Sequence, residues 1–242
     1  MMGSNVDLDE IAKFERMAHE WWDPAGKFRT LHEINPARVG YIKEILTGSA
    51  QGDLAGINLL DIGCGGGILA EAMADNGANV VGIDRSEKII GIATAHQAES
   101  GSSASYRMQS AAELAEAQPA SFDVVLAMEV LEHVPDMTAF LGDCANLLKP
   151  GGTLFFATLN RTPKSWLFAI MGAEYLLRWL PRGTHQFEKF VKPSELRTAL
   201  QSNGLEMQAV RGLSYNPINA TWRLSDDTQV NYLGHALKPQ QA

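Results

Sequence analysis

The feature that most restricts this chain is a glycine-rich turn between a short apolar strand and a helix, with an acid at the end of the next strand. Ile57 to Ile62 reads as a strand, Gly63-Cys64-Gly65-Gly66-Gly67 follows, and a helix runs through Ala74. Asn79 to Ile83 forms the second strand and Asp84 ends it. A loop without side chains lets the backbone approach a ligand, and the helix behind it offers unpaired N–H groups. Asp84 lies 21 residues past Gly63, where a carboxylate can accept both hydroxyls of a ribose. The plainer alternative is a tight turn followed by a helix-capping aspartate.

Strand and helix patterns keep alternating downstream. A helix is expected over Glu87 to Glu99, a third strand over Ala104 to Met108 and a strongly apolar fourth over Phe122 to Met128. Met137 to Leu148 reads as a helix, Lys149-Pro150-Gly151-Gly152 as a turn, and Thr153 to Thr158 as the fifth strand. Such alternation implies an α/β protein with a mostly parallel, doubly wound sheet. A helix at about Ser194 to Asn203 and two closing strands, near Leu205 to Leu213 and after Asn219, should complete it. A reversed final strand would make the sheet mixed. Ahead of this core, Asp7 to Ile45 reads as helices. Ile11, Phe14, Met17 and Ala18 recur at helical spacing, Trp21-Trp22-Asp23-Pro24 stops the first helix, and Asn35-Pro36 is the expected start of the second.

The chain therefore reads as one domain: a helical lid (1–50), a core (57–160), an insert (161–192) and a closing helix with strands (193–242). With 45 % hydrophobic and 20 % charged residues, the composition is that of a globular protein. The net charge of −8 disfavours phosphodiester backbones, so nucleic acid is not the expected partner. Two cysteines, Cys64 and Cys144, make neither a disulfide framework nor a CxxC metal site and fit a reducing cytosol. The first ten residues lack a secretory pattern, and no apolar run is long enough to span a bilayer.

The fourth strand runs into Glu129-Val130-Leu131-Glu132-His133, at the carboxyl end of a central strand where such sheets place their sites. A helical turn there would put Glu129, Glu132 and His133 on one face. Three readings stand side by side: two carboxylates and an imidazole holding a divalent metal such as Mg²⁺ or Zn²⁺, His133 acting as a metal-free general base, or a purely structural cluster. His19, His96 and His235 lack evident partners, and His32 and His185 fall in segments that can cover the site.

The tight GxGxG spacing leaves an NAD site open. With Asp61 just ahead of it, however, it resembles the first motif of class I S-adenosylmethionine-dependent methyltransferases. Ser110-Ala111-Ala112-Glu113, Phe122-Asp123-Val124-Val125 and Lys149-Pro150-Gly151-Gly152 extend that likeness. The ends of the chain are more distinctive. Trp21-Trp22-Asp23-Pro24, Leu31-His32-Glu33-Ile34-Asn35-Pro36-Ala37-Arg38, Thr158-Leu159-Asn160-Arg161, Pro181-Arg182-Gly183-Thr184-His185 and Ser214-Tyr215-Asn216-Pro217 resemble the ubiquinone-biosynthesis O-methyltransferases over nearly the whole chain.

The resemblance implies a Rossmann-like seven-stranded, mostly parallel sheet with helices on both faces and S-adenosyl-L-methionine as donor. It implies methylation of phenolic hydroxyls on polyprenyl catechol-type intermediates, 2-polyprenyl-6-hydroxyphenol and 3-demethylubiquinol. Arg38, Gly63, Gly65, Asp84, Ala112 and Met128 match donor-binding positions, and Glu129, Glu132 and His133 match catalytic positions that mitochondrial relatives assign to a divalent metal. Other ubiquinone-biosynthesis proteins are the protein partners it points to.

A lipid-tailed substrate directs attention to the insert. Trp166, Ile170, Ala173, Leu177 and Leu180 repeat at steps of four and three. Residues 161–192 carry a charge of +4, against −12 for the rest of the chain. A basic, aromatic, amphipathic insert suits anionic lipid, which places the chain peripherally at the cytoplasmic face of a membrane. A buried helix over the substrate pocket is the alternative. Competing functions are a nicotinamide-dependent oxidoreductase, a methyltransferase of another lipophilic phenol, and a non-catalytic lipid-binding subunit that kept the fold.

Overall fold

The computed structural model describes residues 5, 7–167, 186–216, 219 and 221–240. Its centre is an eight-stranded sheet in the order β3-β2-β1-β4-β5-β8-β6-β7. β1 (Asn58–Ile62), β2 (Asn79–Asp84), β3 (Ser105–Met108), β4 (Phe122–Met128) and β5 (Leu148–Leu159) are mutually parallel. β8 (Asn231–Leu237) runs antiparallel to β5, so the sheet is mixed. β6 (Glu206–Asn216) pairs with β8, and β7 (Thr221–Ser225) adds an edge strand on β6. The closing region thus holds three strands rather than two, and the sheet eight rather than seven. The polar run Asp226-Asp227-Thr228-Gln229 breaks the segment after Asn219 into two strands.

β4 shows why the sheet is covered twice. Val125 and Ala127 enter one core cluster, and Val124, Leu126 and Met128 the other, because successive strand side chains point to opposite faces. Burying each Val or Leu there stabilises the fold by roughly 1.5–3 kcal/mol. α5 (Ala111–Ala117), α6 (Met137–Leu147) and α8 (Pro193–Ser202), a label that leaves α7 to the single turn Pro163–Ser165, supply the first cluster. α2 (Arg29–Thr47) and α3 (Ile68–Asp75) supply the second. α4 (Glu87–Ser100) contributes Ile89 to a third cluster with Met17, Ala18, Trp21 and Phe28 of the N-terminal segment. That segment opens with α1 (Leu8–Met17), capped by Asp7, whose carboxylate accepts from the N–H groups of Asp9 and Glu10.

α2 begins at Arg29, well before the expected Asn35-Pro36 start, and carries Pro36 inside it. An interior proline removes one helix hydrogen bond. Buried Ile34 on one side of it and buried Arg38, Tyr41 and Ile42 on the other hold the helix through the defect. α5 was not expected as a helix, yet Ser110 and Glu113 form a reciprocal capping box at its start, an interaction of about 0.5–2 kcal/mol. Among the described residues, no helix is long and apolar enough to cross a membrane. The apolar repeat at Ile170, Ala173, Leu177 and Leu180 and the expectation for His185 lie outside the described residues.

Candidate active site

The glycine loop is tied to the end of β2. Gly63 and Cys64 both donate their N–H to the Ile83 carbonyl, at 2.8 and 3.0 Å. Gly65 N–H donates to Asp84 Oδ2 at 3.3 Å, and Ser86 N–H to Oδ1 at 3.0 Å. Gly63 and Gly65 adopt φ of +68° and +55°, a region that costs other residues energy. A Cβ on Gly65 would also fall 2.1 Å from the Trp21 ring. Trp22 Nε1 donates to the Gly66 carbonyl at 2.8 Å, so both tryptophans brace the loop from outside.

Arg38 reaches this region from α2. Its Nη2 donates to Glu129 Oε1 at 2.5 Å, whereas its buried Nε has no partner. Buried Asp61 stands nearby, its pKa pushed up to about 7 by burial against the opposing pull of Arg38. Burial likewise raises Asp84. Arg38, Gly63, Gly65, Asp84, Ala112 and Met128, all six expected donor contacts, line one cavity of about 1480 Å³. A buried guanidinium N–H without a partner, beside a glycine loop and a carboxylate, fits a ligand that carries both a carboxylate and a ribose.

Glu129, Glu132 and His133 also line this cavity, but not as one helical face. Glu129 has φ +57°, and a 3-10 turn over Leu131–His133 follows it. The three side chains consequently go to three elements. Glu129 pairs with Arg38 of α2, buried Glu132 accepts from Thr158 Oγ1 of β5 at 2.7 Å, and His133 Nδ1 lies 3.0 Å from Glu10 Oε2 of α1. Burial and the Glu129 charge raise the pKa of Glu132. Burial lowers that of His133, but the bond to Glu10 and the surrounding carboxylates outweigh it and leave the imidazole above its ordinary value. Among the described residues, no group of three His, Cys, Asp or Glu side chains is arranged to hold a metal ion. The expected set does not fit one here, since each member is already engaged elsewhere.

The cavity extends beyond this turn along an apolar wall. Leu213, Tyr215 and Trp222 line it, with the Tyr215 and Trp222 rings 5.3 Å apart. Trp222 Nε1 donates to Glu33 Oε2 at 3.2 Å, fixing the β6–β7 hairpin to α2. Several histidines have partners the sequence did not reveal. His96 Nδ1 lies 3.0 Å from both Glu71 oxygens and stacks on Trp22, His235 Nδ1 meets the Tyr41 hydroxyl at 2.8 Å, and His32 Nε2 meets the Trp21 carbonyl. Cys64 and Cys144 are free and buried. That Glu10 and Thr158 hold two of the three site side chains was not legible in the sequence, because they lie 123 and 26 residues from their partners.

A family model described as a methyltransferase domain matches residues 37–210. A ubiquinone biosynthesis O-methyltransferase of Hahella chejuensis is 54% identical over 235 residues, covering 97% of this chain and 96% of that relative. The chain belongs to the ubiquinone biosynthesis O-methyltransferases. The relative of the same name from Pseudomonas aeruginosa is 52% identical over 95% of this chain and 97% of its own length. Among solved structures, magnesium protoporphyrin IX methyltransferase from Synechocystis PCC 6803 with bound SAH aligns with a TM-score of 0.66 at 22% identity, covering 96% of this chain and 100% of that one. This likeness bears on the fold alone.

Proposed function

We propose that this enzyme uses S-adenosyl-L-methionine to methylate a phenolic oxygen of polyprenyl catechol-type intermediates, 2-polyprenyl-6-hydroxyphenol and 3-demethylubiquinol. The observation that carries the reading is one cavity lined together by the glycine loop, by His133 and by the apolar side chains of Leu213, Tyr215 and Trp222. The donor supplies a methyl group made electrophilic by its sulfonium centre. Arg38 would hold the donor's carboxylate through its unpartnered Nε, and Asp84 its ribose hydroxyls. Gly63, Gly65, Ala112 and Met128 shape the space around it. A phenol has a pKa near 10 and is a poor nucleophile until its proton leaves. His133 takes that proton. Glu129 keeps Arg38 oriented, and Glu132, held by Thr158, fixes the turn between them. The apolar wall excludes water and accepts the start of the isoprenoid tail.

The tail places the working enzyme at a membrane surface, on the cytoplasmic side. Trp166 and Leu167 are 44% and 53% exposed, beside Lys164 at the cavity edge, which supports contact with anionic lipid. Partners among other ubiquinone-biosynthesis proteins follow from the same reading. The test is transfer of a labelled methyl group to a short-chain prenyl catechol, with and without EDTA. Transfer that survives EDTA is expected. Transfer lost with EDTA and restored by Mg²⁺ or Zn²⁺ would overturn the metal-free role of His133, and no transfer despite SAH binding would overturn the acceptor.

A further inference from the structure

His133 is held from one side by a single helix. Glu10 and Phe14 lie four residues apart on α1 and so share a face. Glu10 Oε2 takes the imidazole Nδ1 at 3.0 Å, and the Phe14 ring meets the imidazole edge-on at 5.3 Å and 89°. Glu10 is only 4% exposed. Its other oxygen, Oε1, accepts from Lys13 at 2.9 Å and from Lys189 at 3.0 Å. Lys189 also bonds Asp7, the cap of α1, at 2.9 Å. Glu10 thus gives one oxygen to the imidazole and the other to two ammonium groups. A buried, ionised carboxylate bridging an imidazole and an ammonium group is costly to desolvate, and its bonds are strong in proportion.

We propose that Glu10 is a positioning residue for methyl transfer, fixing the ring of His133 and its tautomer so that Nε2 is the atom that accepts the phenolic proton. A carboxylate only accepts hydrogen bonds, so in the neutral ring Nδ1 carries the hydrogen that points at Glu10 and Nε2 carries the lone pair. Phe14 closes off tilting of the ring from another direction. Because both come from α1, the proton acceptor is complete only when α1 is seated over the cavity, with Lys189 and Asp7 tying its first turn down. A second cavity, of about 340 Å³, is also lined by Asp7, His133 and Lys189. The inference rests on the reading of His133 as the proton acceptor.

The test uses the full chain with Glu10→Gln, His133→Ala and the double variant. Glutamine keeps the size of the side chain and the packing of α1 but can present an N–H to the ring. Glu10→Gln should lower kcat by roughly tenfold or more while leaving KM for the donor and Kd for SAH unchanged. It should also move the neutral His133 ring, followed by its ¹⁵N chemical shifts, away from the Nδ1–H tautomer. The double variant should be no slower than His133→Ala alone, since two residues acting through one group are not additive. An unchanged kcat for Glu10→Gln, an unchanged tautomer, or losses that multiply in the double variant would overturn the inference and leave His133 as acceptor. An unchanged kcat for His133→Ala would remove the acceptor reading itself.

Discussion

The two ends of the cavity are built in opposite ways. The proposed donor end, at the glycine loop, is largely local: Gly63, Gly65 and Asp84 come from one strand-loop-helix-strand unit, and the loop N–H groups bond to Ile83 and Asp84 within it. Arg38 and the two tryptophans are added from outside. The proposed acceptor end, at His133 and the aromatic wall, has no such unit. His133 depends on Glu10 from α1, Glu132 on Thr158 from β5, and the aromatic wall on a β6–β7 hairpin tied to α2 by Glu33. A ligand site that rests on backbone geometry can be written in about two dozen consecutive residues. A proton-handling site that rests on side-chain orientation needs whatever elements the fold brings near.

If the ends are separable in this way, they should fail separately. The largest effect is expected at the acceptor end: His133→Ala should lower kcat by roughly 10²–10⁴-fold with SAH binding intact by calorimetry. A parallel loss of SAH binding would show that the ends are one unit. Next, Arg38→Ala should weaken SAH by about 2–3 kcal/mol, because it also leaves the Glu129 carboxylate without its partner. Unaltered SAH affinity would remove Arg38 from the donor end. Gly65→Ala combines a left-handed φ with a Cβ directed into Trp21. It should cost about 1–3 kcal/mol in denaturant-unfolding stability and weaken SAH as well. A variant as stable as the parent would mean that the loop yields more easily than its geometry indicates.

Smaller changes sharpen the comparison. Trp222→Phe keeps the aromatic wall but loses the bond to Glu33, and should raise KM for the prenyl catechol by about 1 kcal/mol equivalent, with donor KM unmoved. The smallest effect concerns a group outside both ends. Burial lowers the pKa of His235, whose ring bonds Tyr41. The unfolded chain then takes up this proton at a higher pH than the folded one, so stability contributed by neutral His235 is present above its unfolded pKa of 6.5 and is lost as pH falls below it. Melting between pH 7.5 and 5.5 should show a shallower acid limb for His235→Gln than for the parent. Equal limbs would assign that loss to other groups.

The same contrast explains what could be read in advance. Phe122–Met128 was bounded to the residue from its apolar run, and Asn79, Asp84 and the start of α4 were legible from their strand and cap signals. α5 is too short for its apolar period to stand out, and its one local signal is the capping box of Ser110 and Glu113. Pro36 misled, because tertiary burial on both sides of it overrode the local preference to start a helix there. Periodicity also suggested one face for Glu129, Glu132 and His133. The left-handed φ of Glu129, which nothing in the residue type announces, sent them apart.

By itself, the sequence determined the α/β architecture, the glycine loop with its acid, and the O-methyltransferase family. The architecture and the loop follow from hydrophobic period, turn chemistry and local spacing, all properties of neighbouring residues, and the family from the resemblance of its motifs. Only the tertiary structure decided that Arg38 keeps one buried N–H unpartnered, that three candidate metal ligands serve three separate elements, and that Glu10 meets His133. Contacts between residues 26, 91 and 123 positions apart are set by how layers pack, and no local pattern in the chain encodes them.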